Sequence, residues 1–380
     1  MTRYIKLLLF IILLNCSFDT KSRIWTEDKK IQEVNKNITN VFKEKEIIKK
    51  EFNSNLLIKT GILKKDYKQP DNLINHLGIL NFNSKIEKSS KFRFSKIENF
   101  DHFEPELVFD GENFIFFDDK GNLIKFNNNF EIIWKKNFYS KKERKLKPIL
   151  TLSTYENYLI IFDNIGKFYS VNLETGNLVW LNNNKNPLNS QIKIFNDIIY
   201  IVDLNNILRS FSIKNGKEIW KFNSENTFLK SNKKSSILVK KDKVFFNNSL
   251  GDIIAINSLD GKLLWQIPTQ SSAIYENAFS LVMSDLVAKD NNLIFSNNRN
   301  EFYSINLNNG VMNWKQEINS SVRPIIYNDL IFTISEEGYF FVIDKKSGNI
   351  LRITDIFDKF KKDKKTNIRP IGFITGLKKI

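Results

Sequence analysis

The chain has 380 residues, a net charge of +16 and a single cysteine. That length suits one large domain plus a tether. One thiol excludes an intramolecular disulfide and a cysteine-pair zinc site. The basic balance leaves an acidic surface or partner open. Its lysines, however, do not interleave with any nucleic-acid-binding motif, and they run with Asn and Ile as coding bias would spread them, so nucleic acid is excluded as a partner.

The first predicted element is an export signal. Arg3 and Lys6 precede the apolar run Leu7–Leu14, which is too short to span a bilayer. The run ends at Leu13-Leu14-Asn15-Cys16 and resembles a bacterial lipoprotein signal. The resemblance implies a signal peptide over 1–15, cleavage before Cys16 and a diacylglyceryl group on that thiol. Asn15 stands where the class has a small residue. Ser17, rather than an aspartate, implies sorting to the outer membrane. An ordinary secretory signal or an anchor helix with an incidental cysteine is the plainer alternative. Residues 16–60 read as a polar tether, partly helical where Ile31, Val34, Ile38 and Val41 keep helical spacing. Residues 61–106 carry β-like runs such as Ile79–Phe82 and Phe92–Ile97, expected to join the following domain.

From 107 onward the chain repeats itself. Trp134, Trp180, Trp220, Trp265 and Trp314 recur at intervals of 46, 40, 45 and 49 residues, and a worn copy ends at Arg352. A period of roughly 44 marks an array of one supersecondary unit. Four residues before each of the last four tryptophans stands Gly176, Gly216, Gly261 or Gly310, and Gly348 precedes Arg352. Ten residues earlier come Gly166, Asn206, Gly251, Asn300 and Gly338. Both positions favour a left-handed backbone and read as hairpin turns. The first copy has lost one residue and its second glycine. Between the turns, Phe168-Tyr169-Ser170-Val171 and its equivalents are apolar on both faces, which predicts a strand buried on both sides. A second β-rich run, such as Tyr158–Phe162, precedes each first turn. The unit therefore reads as strand, turn, strand, turn, a strand ending on tryptophan, a loop and a fourth strand. Four antiparallel strands in that length make one blade of an all-β β-propeller. A tryptophan fixed in every blade reads as inter-blade packing, not as a ligand platform.

Catalytic material is thin. His76 and His102 both precede the repeats, so no histidine triad or histidine metal cluster can be built within them. Asp163, Asp203, Asp252 and Asp344 sit beside turns and read as turn caps. No P-loop or dinucleotide fingerprint occurs.

The phrase Asn172-Leu173-Glu174-Thr175-Gly176-Asn177-Leu178-Val179-Trp180 resembles the repeat of the pyrroloquinoline-quinone (PQQ) type propellers. The copies ending at Trp220, Trp265 and Trp314 vary it slightly, and the match runs over about 107–352. In that family the tryptophan docks one blade onto the next. Two functions compete within it. Quinoprotein dehydrogenases need calcium-binding Glu and Asn, a catalytic Asp and often vicinal cysteines. No such set stands out here, so no catalytic, metal or cofactor-binding residue is assigned. A periplasmic PQQ-dependent dehydrogenase-like enzyme stays as the alternative. The BamB family is similar in its whole plan: lipobox, tether, then an eight-bladed propeller without cofactor. That resemblance implies a non-enzymatic lipoprotein scaffold on the periplasmic face of the outer membrane. Its implied partners are the assembly platform protein of the outer-membrane β-barrel machinery and nascent barrel strands, held through loops and strand edges.

The end of the chain breaks the pattern. Arg369-Pro370-Ile371 echoes Arg323-Pro324-Ile325, but the sequence stops where the next strand should form. Six repeat cores are visible, which predicts an incomplete eight-bladed ring over 107–380, truncated at its C-terminus. The alternative is a smaller ring closed by the N-terminal runs. Truncation would leave an open sheet edge on the last blade.

Overall fold

The structure is a computed structural model that describes residues 48, 50–58, 108–111, 113–184, 186–225, 233–269 and 281–357. The export signal, Cys16, both histidines, the 61–106 runs and the Arg369 echo lie outside the described residues. Among the described residues no helix is long and apolar enough to cross a membrane.

The described chain forms six four-stranded antiparallel sheets, each with its strands in chain order. Blade 1 holds β1 (Val108–Asp110), β2 (Asn113–Phe117), β3 (Asn122–Phe126) and β4 (Ile132–Asn137). Blade 2 holds β5 (Leu150–Tyr155), β6 (Tyr158–Asp163), β7 (Lys167–Asn172) and β8 (Leu178–Asn183). Blade 3 holds β9 (Lys193–Phe195), β10 (Ile198–Val202), β11 (Ile207–Ser212) and β12 (Glu218–Asn223). Blade 4 holds β13 (Ile237–Lys240), β14 (Lys243–Asn247), β15 (Ile253–Asn257) and β16 (Leu263–Ile267). Blade 5 holds β17 (Val287–Lys289), β18 (Asn292–Asn297), β19 (Glu301–Asn306) and β20 (Met312–Gln316). Blade 6 holds β21 (Ile325–Tyr327), β22 (Leu330–Ile334), β23 (Tyr339–Asp344) and β24 (Ile350–Asp355). One turn of helix, α1 (Lys141–Arg144), sits between blades 1 and 2 behind a Ser140–Glu143 capping box.

The repeat differs from its sequence reading in two ways. The fourth strand of the unit is the first strand of each blade, so a blade starts before the β-rich run. The tryptophan lies inside the fourth strand, not at its end. Trp180 is the third residue of β8, and the strand runs on to Asn183. Sequence alone set the boundary at the last apolar landmark, but antiparallel pairing continues past it through polar Asn182 and Asn183 to Phe168 and Lys167.

Between third and fourth strands every blade carries a register shift, at Ser170/Val171, Ser210/Phe211 and the equivalent places. It sits just beyond the residue opposite the tryptophan. That residue is Ser170, Ser210, Ala255 or Ser304 in blades 2 to 5. Opposed side chains share a face of the sheet, so a small one leaves room for the indole. The turn positions take left-handed backbone as expected, including Asn206 at φ 58° and Asn300 at φ 60°. In blade 1, where the second glycine is lost, Phe130 takes φ 64° in its place.

The core lies between blades. Ile115, Phe117 and Leu123 of blade 1 pack with Leu159, Ile161 and Tyr169 of blade 2. Similar clusters join blades 2 and 3, 3 and 4, 4 and 5, and 5 and 6. A sixth cluster, Ile325, Tyr327, Phe332 and Val342, belongs to blade 6, and Ile58 packs on it.

Candidate functional site

The repeated tryptophan forms the same contact five times. Each indole N–H donates to a backbone carbonyl of the following blade. Trp134 reaches Leu173 O at 3.2 Å, Trp180 Ile213 O at 2.7 Å and Trp220 Ser258 O at 3.0 Å. Trp265 reaches Leu307 O at 3.2 Å and Trp314 Lys345 O at 3.0 Å. Each ring lies on the turn glycine of that next blade: Gly176 on Trp134, Gly216 on Trp180, Gly261 on Trp220, Gly310 on Trp265 and Gly348 on Trp314. A Cβ on Gly216 would stand 2.5 Å from the Trp180 ring, and that glycine also has φ +66°. The glycine is thus required twice, by backbone and by contact. Trp134, Trp180 and Trp314 are buried, whereas Trp220 and Trp265 are half-buried.

The turns between second and third strands carry a second repeated device. Asp118, Asp163, Asp203, Asn248 and Asn297 stand at the same place. Asp163 Oδ1 accepts from the amides of Ile165 and Lys167, and Asn248 Oδ1 from those of Leu250 and Asp252. These are Asx turns whose caps are buried. Asp163 also accepts from the Tyr139 hydroxyl at 2.7 Å, and burial pushes its carboxyl above the usual range. Burial likewise pushes the Tyr139 phenol far up. Beside them the Lys167 ammonium meets Glu143 at 2.8 Å and Phe138 O at 2.9 Å. This cluster pins the loop that carries α1 onto blade 2. Asp203 is fully buried and pairs with Arg209 Nε at 3.2 Å. Asp252 accepts from Asn248 and Gln266, and Asp344 caps its turn through Ser347.

At the centre of the array the approach to blade 4 reaches past its neighbours. Lys233 Nζ donates to Ser321 O ahead of blade 6, and Lys234 Nζ to Thr151 Oγ1 of blade 2, both at 2.9 Å. Burial holds the Lys233 ammonium below the usual lysine range, although Asp285 and Glu336 oppose the shift. The cavity beside these lysines has about 10 Å³, room for no more than one water. Among the described residues no three His, Cys, Asp or Glu side chains gather to hold a metal ion.

The outer rim is the exposed chemistry. Outer strands β4, β8 and β16 begin with apolar residues that face solvent: Ile132 and Ile133, Leu178 and Val179, and Leu263 and Leu264. Lys135 and Lys136 follow in β4, and Lys221 lies in β12. β4, β8, β12, β16 and β20 are each the last strand of their sheet, with one backbone edge outward.

Sequence reasoning singled out the tryptophans and glycines, and the structure brings each Trp–Gly pair together across a blade boundary. Cys16 lies outside the described residues. The sequence reading missed the Tyr139–Asp163–Lys167 cluster. It also missed the contact of Glu51, Phe52 and Asn53 with β24. No local pattern signals either, because both join segments far apart in sequence.

A family model described as "Outer membrane protein assembly factor BamB" matches residues 107–354. Among solved structures, BamB from Moraxella catarrhalis superposes with a TM-score of 0.55 at 14% identity, covering 66% of this chain and 75% of that one. The computationally designed Ika8 protein gives 0.51 at 15% identity, over 66% and 73%. A europium-containing methanol dehydrogenase gives 0.43 at 11%, over 54% and 50%. No curated protein matches the chain. The likenesses to BamB and Ika8 show a shared propeller fold. The chain belongs to the outer membrane protein assembly factor BamB family.

Proposed function

We propose that this member of the family is a non-enzymatic scaffold of outer-membrane β-barrel protein assembly. It is held on the periplasmic face of the outer membrane by a lipid on Cys16, after removal of residues 1–15. A tether over 16–60 and strands over 61–106 lead to the propeller of 107–380. Trp134, Trp180, Trp220, Trp265 and Trp314, with the turn glycines that receive them, fix blade to blade and keep the face loops in register. The platform protein binds those loops, and nascent barrel strands bind the rim. The observation that carries this reading is the family match over 107–354, which spans all six blades.

Co-purification from detergent-solubilised outer membranes, after mild crosslinking, tests it. The platform protein is expected in stoichiometric amount. Recovery of the chain with no barrel-assembly subunit sinks the proposal. Labelling with a fatty-acid analogue is expected in the wild type and lost in Cys16→Ala. For the enzyme alternative, PQQ and calcium are added to the purified protein. Saturable binding with dye-linked alcohol oxidation would replace the scaffold by a dehydrogenase.

A further inference from the structure

The outer edge of β24 is already occupied. Phe52 forms an antiparallel bridge with Ile353: its N–H donates to Ile353 O at 3.2 Å and its carbonyl accepts from Ile353 N at 2.8 Å. On this edge Leu351, Ile353 and Asp355 turn their backbone groups outward, as alternate residues of a strand do. The flanking positions are met by side chains instead of backbone. Asn53 Nδ2 donates to Leu351 O at 3.4 Å, and Glu51 Oε1 accepts from Asp355 N at 3.0 Å. Arg352, at the tryptophan position of the repeat, donates from Nη1 to Leu56 O at 3.0 Å. The five tryptophans likewise donate to a carbonyl of the next blade. Residues 51–56 therefore stand in for a neighbour. Ile48 packs against the cluster shared with blade 5, and Ile58 against the other face of blade 6, so the segment crosses the edge from one face to the other.

We propose that this segment is a resident strand guarding a strand-addition site, and that the β24 edge exchanges it for an extended strand of an unfolded barrel protein. The proposal rests on the assembly reading above. The resident makes one full backbone pair and two side-chain substitutes. A regular antiparallel strand would pair backbone to backbone at all three positions, with about six bonds. The resident is also lightly held, since Phe52 is 53% and Leu57 85% exposed. Few buried contacts mean a low cost of local opening. Ile353, which packs into the cluster shared with blade 5, supplies an apolar cross-strand neighbour for a side chain of the incoming strand.

The test uses the full chain carrying Cys16→Ser. The probe is a fluorescent ten-residue peptide of alternating valine and threonine, read by anisotropy. Glu51→Ala with Asn53→Ala removes both side-chain substitutes. The Ile353 amide is expected to exchange at least tenfold faster, and the peptide to bind at least tenfold tighter. Glu51→Cys with Thr354→Cys, oxidised, clamps the segment one residue along the bridge. Peptide binding is then expected to vanish and to return on reduction. Faster exchange with unchanged affinity overturns the proposal, and so does binding that survives the clamp. No assembly component enters this assay. Its failure beside intact co-purification overturns the exchange alone, and success without co-purification overturns the scaffold reading alone.

Discussion

Replacing Gly216 by alanine tests the docking contact most directly. Gly216 sits at φ +66°, and an added Cβ would meet Trp180 Cε3 at 2.5 Å, Asn182 Nδ2 at 2.6 Å and Trp180 Cδ2 at 2.8 Å. The left-handed backbone costs an L-residue about 1–2 kcal/mol. Forcing the buried ring aside costs about 1–3 kcal/mol more. The ring has little freedom, because its N–H is bonded to Ile213 O at 2.7 Å and it packs T-shaped with Phe168, ring centroids 4.6 Å apart. The sum is about 2–5 kcal/mol. Gly111→Ala is the control. It has φ +58° but nothing within 4 Å of its added Cβ, so only the backbone part applies. Both variants are compared by urea unfolding at constant m-value. Gly216→Ala is then repeated in a Trp180→Ala background, which itself costs about 3–5 kcal/mol. There the ring's share of the steric part should disappear and the cost should fall towards that of Gly111→Ala, leaving only the contact with Asn182 Nδ2, the far end of a side chain that can swing aside. Equal costs for the two glycines, or an undiminished cost without the indole, would show that the ring contact does not set the demand for glycine.

Three further outcomes are expected. Burial raises the Asp163 carboxyl above 3.8, so the folded state holds its proton more tightly than the unfolded chain. Its contribution is fully present below 3.8 and is lost as pH rises through the raised folded value. Asp163→Asn should therefore gain stability relative to wild type across that rise, since Asn248 and Asn297 already serve the same turn. A pH-independent difference counts against this. Trp314→Phe leaves the Lys345 carbonyl without its 3.0 Å donor and should cost about 1–3 kcal/mol. Trp265→Phe, at a half-buried dock, should cost less in the same urea assay. Arg352→Trp restores the repeat consensus but should loosen residues 51–56, because the bond to Leu56 O is lost. Among the described residues no turn glycine lies ready to receive the ring. Faster exchange of the Ile353 amide is the readout, and slower exchange would show that the consensus residue finds a dock.

The repeat was legible because one demand recurs. Every indole must lie on a glycine and reach a carbonyl, so tryptophan and glycine keep a fixed spacing. The position opposite the tryptophan holds Ser170, Ser210, Ala255 and Ser304, and pairing with the indole supplies the reason for a small side chain there. The first strand of each blade was hard to read. β9, β17 and β21 have three residues each, too few to show an alternation. Asp163 was legible as a turn cap but not as the partner of Tyr139, which arrives from the preceding inter-blade loop. Chain periodicity describes what a blade needs from its own hairpins. It is silent about contacts made once.

Those single contacts fall where the repeat departs from itself. Lys125 faces Trp134 where the following four blades have serine or alanine. Its ammonium bonds Asp110 at 2.6 Å and the Leu173 carbonyl at 2.9 Å, the same carbonyl that takes the Trp134 indole. Lys345 stands where blades 2, 3 and 5 have buried Leu173, Ile213 and Leu307, and it reaches back to Asp290 of blade 5 at 2.7 Å. Arg352 replaces tryptophan where the acceptor is Leu56 instead of a blade turn. In each case the residue follows the partner. A long basic side chain appears where it meets a carboxylate, as for Lys125 and Lys345, or a carbonyl outside the repeat, as for Arg352. In a repeat protein the consensus therefore encodes the scaffold, and its exceptions mark contacts made once, between two blades for Lys125 and Lys345 and with a segment outside the repeat for Arg352.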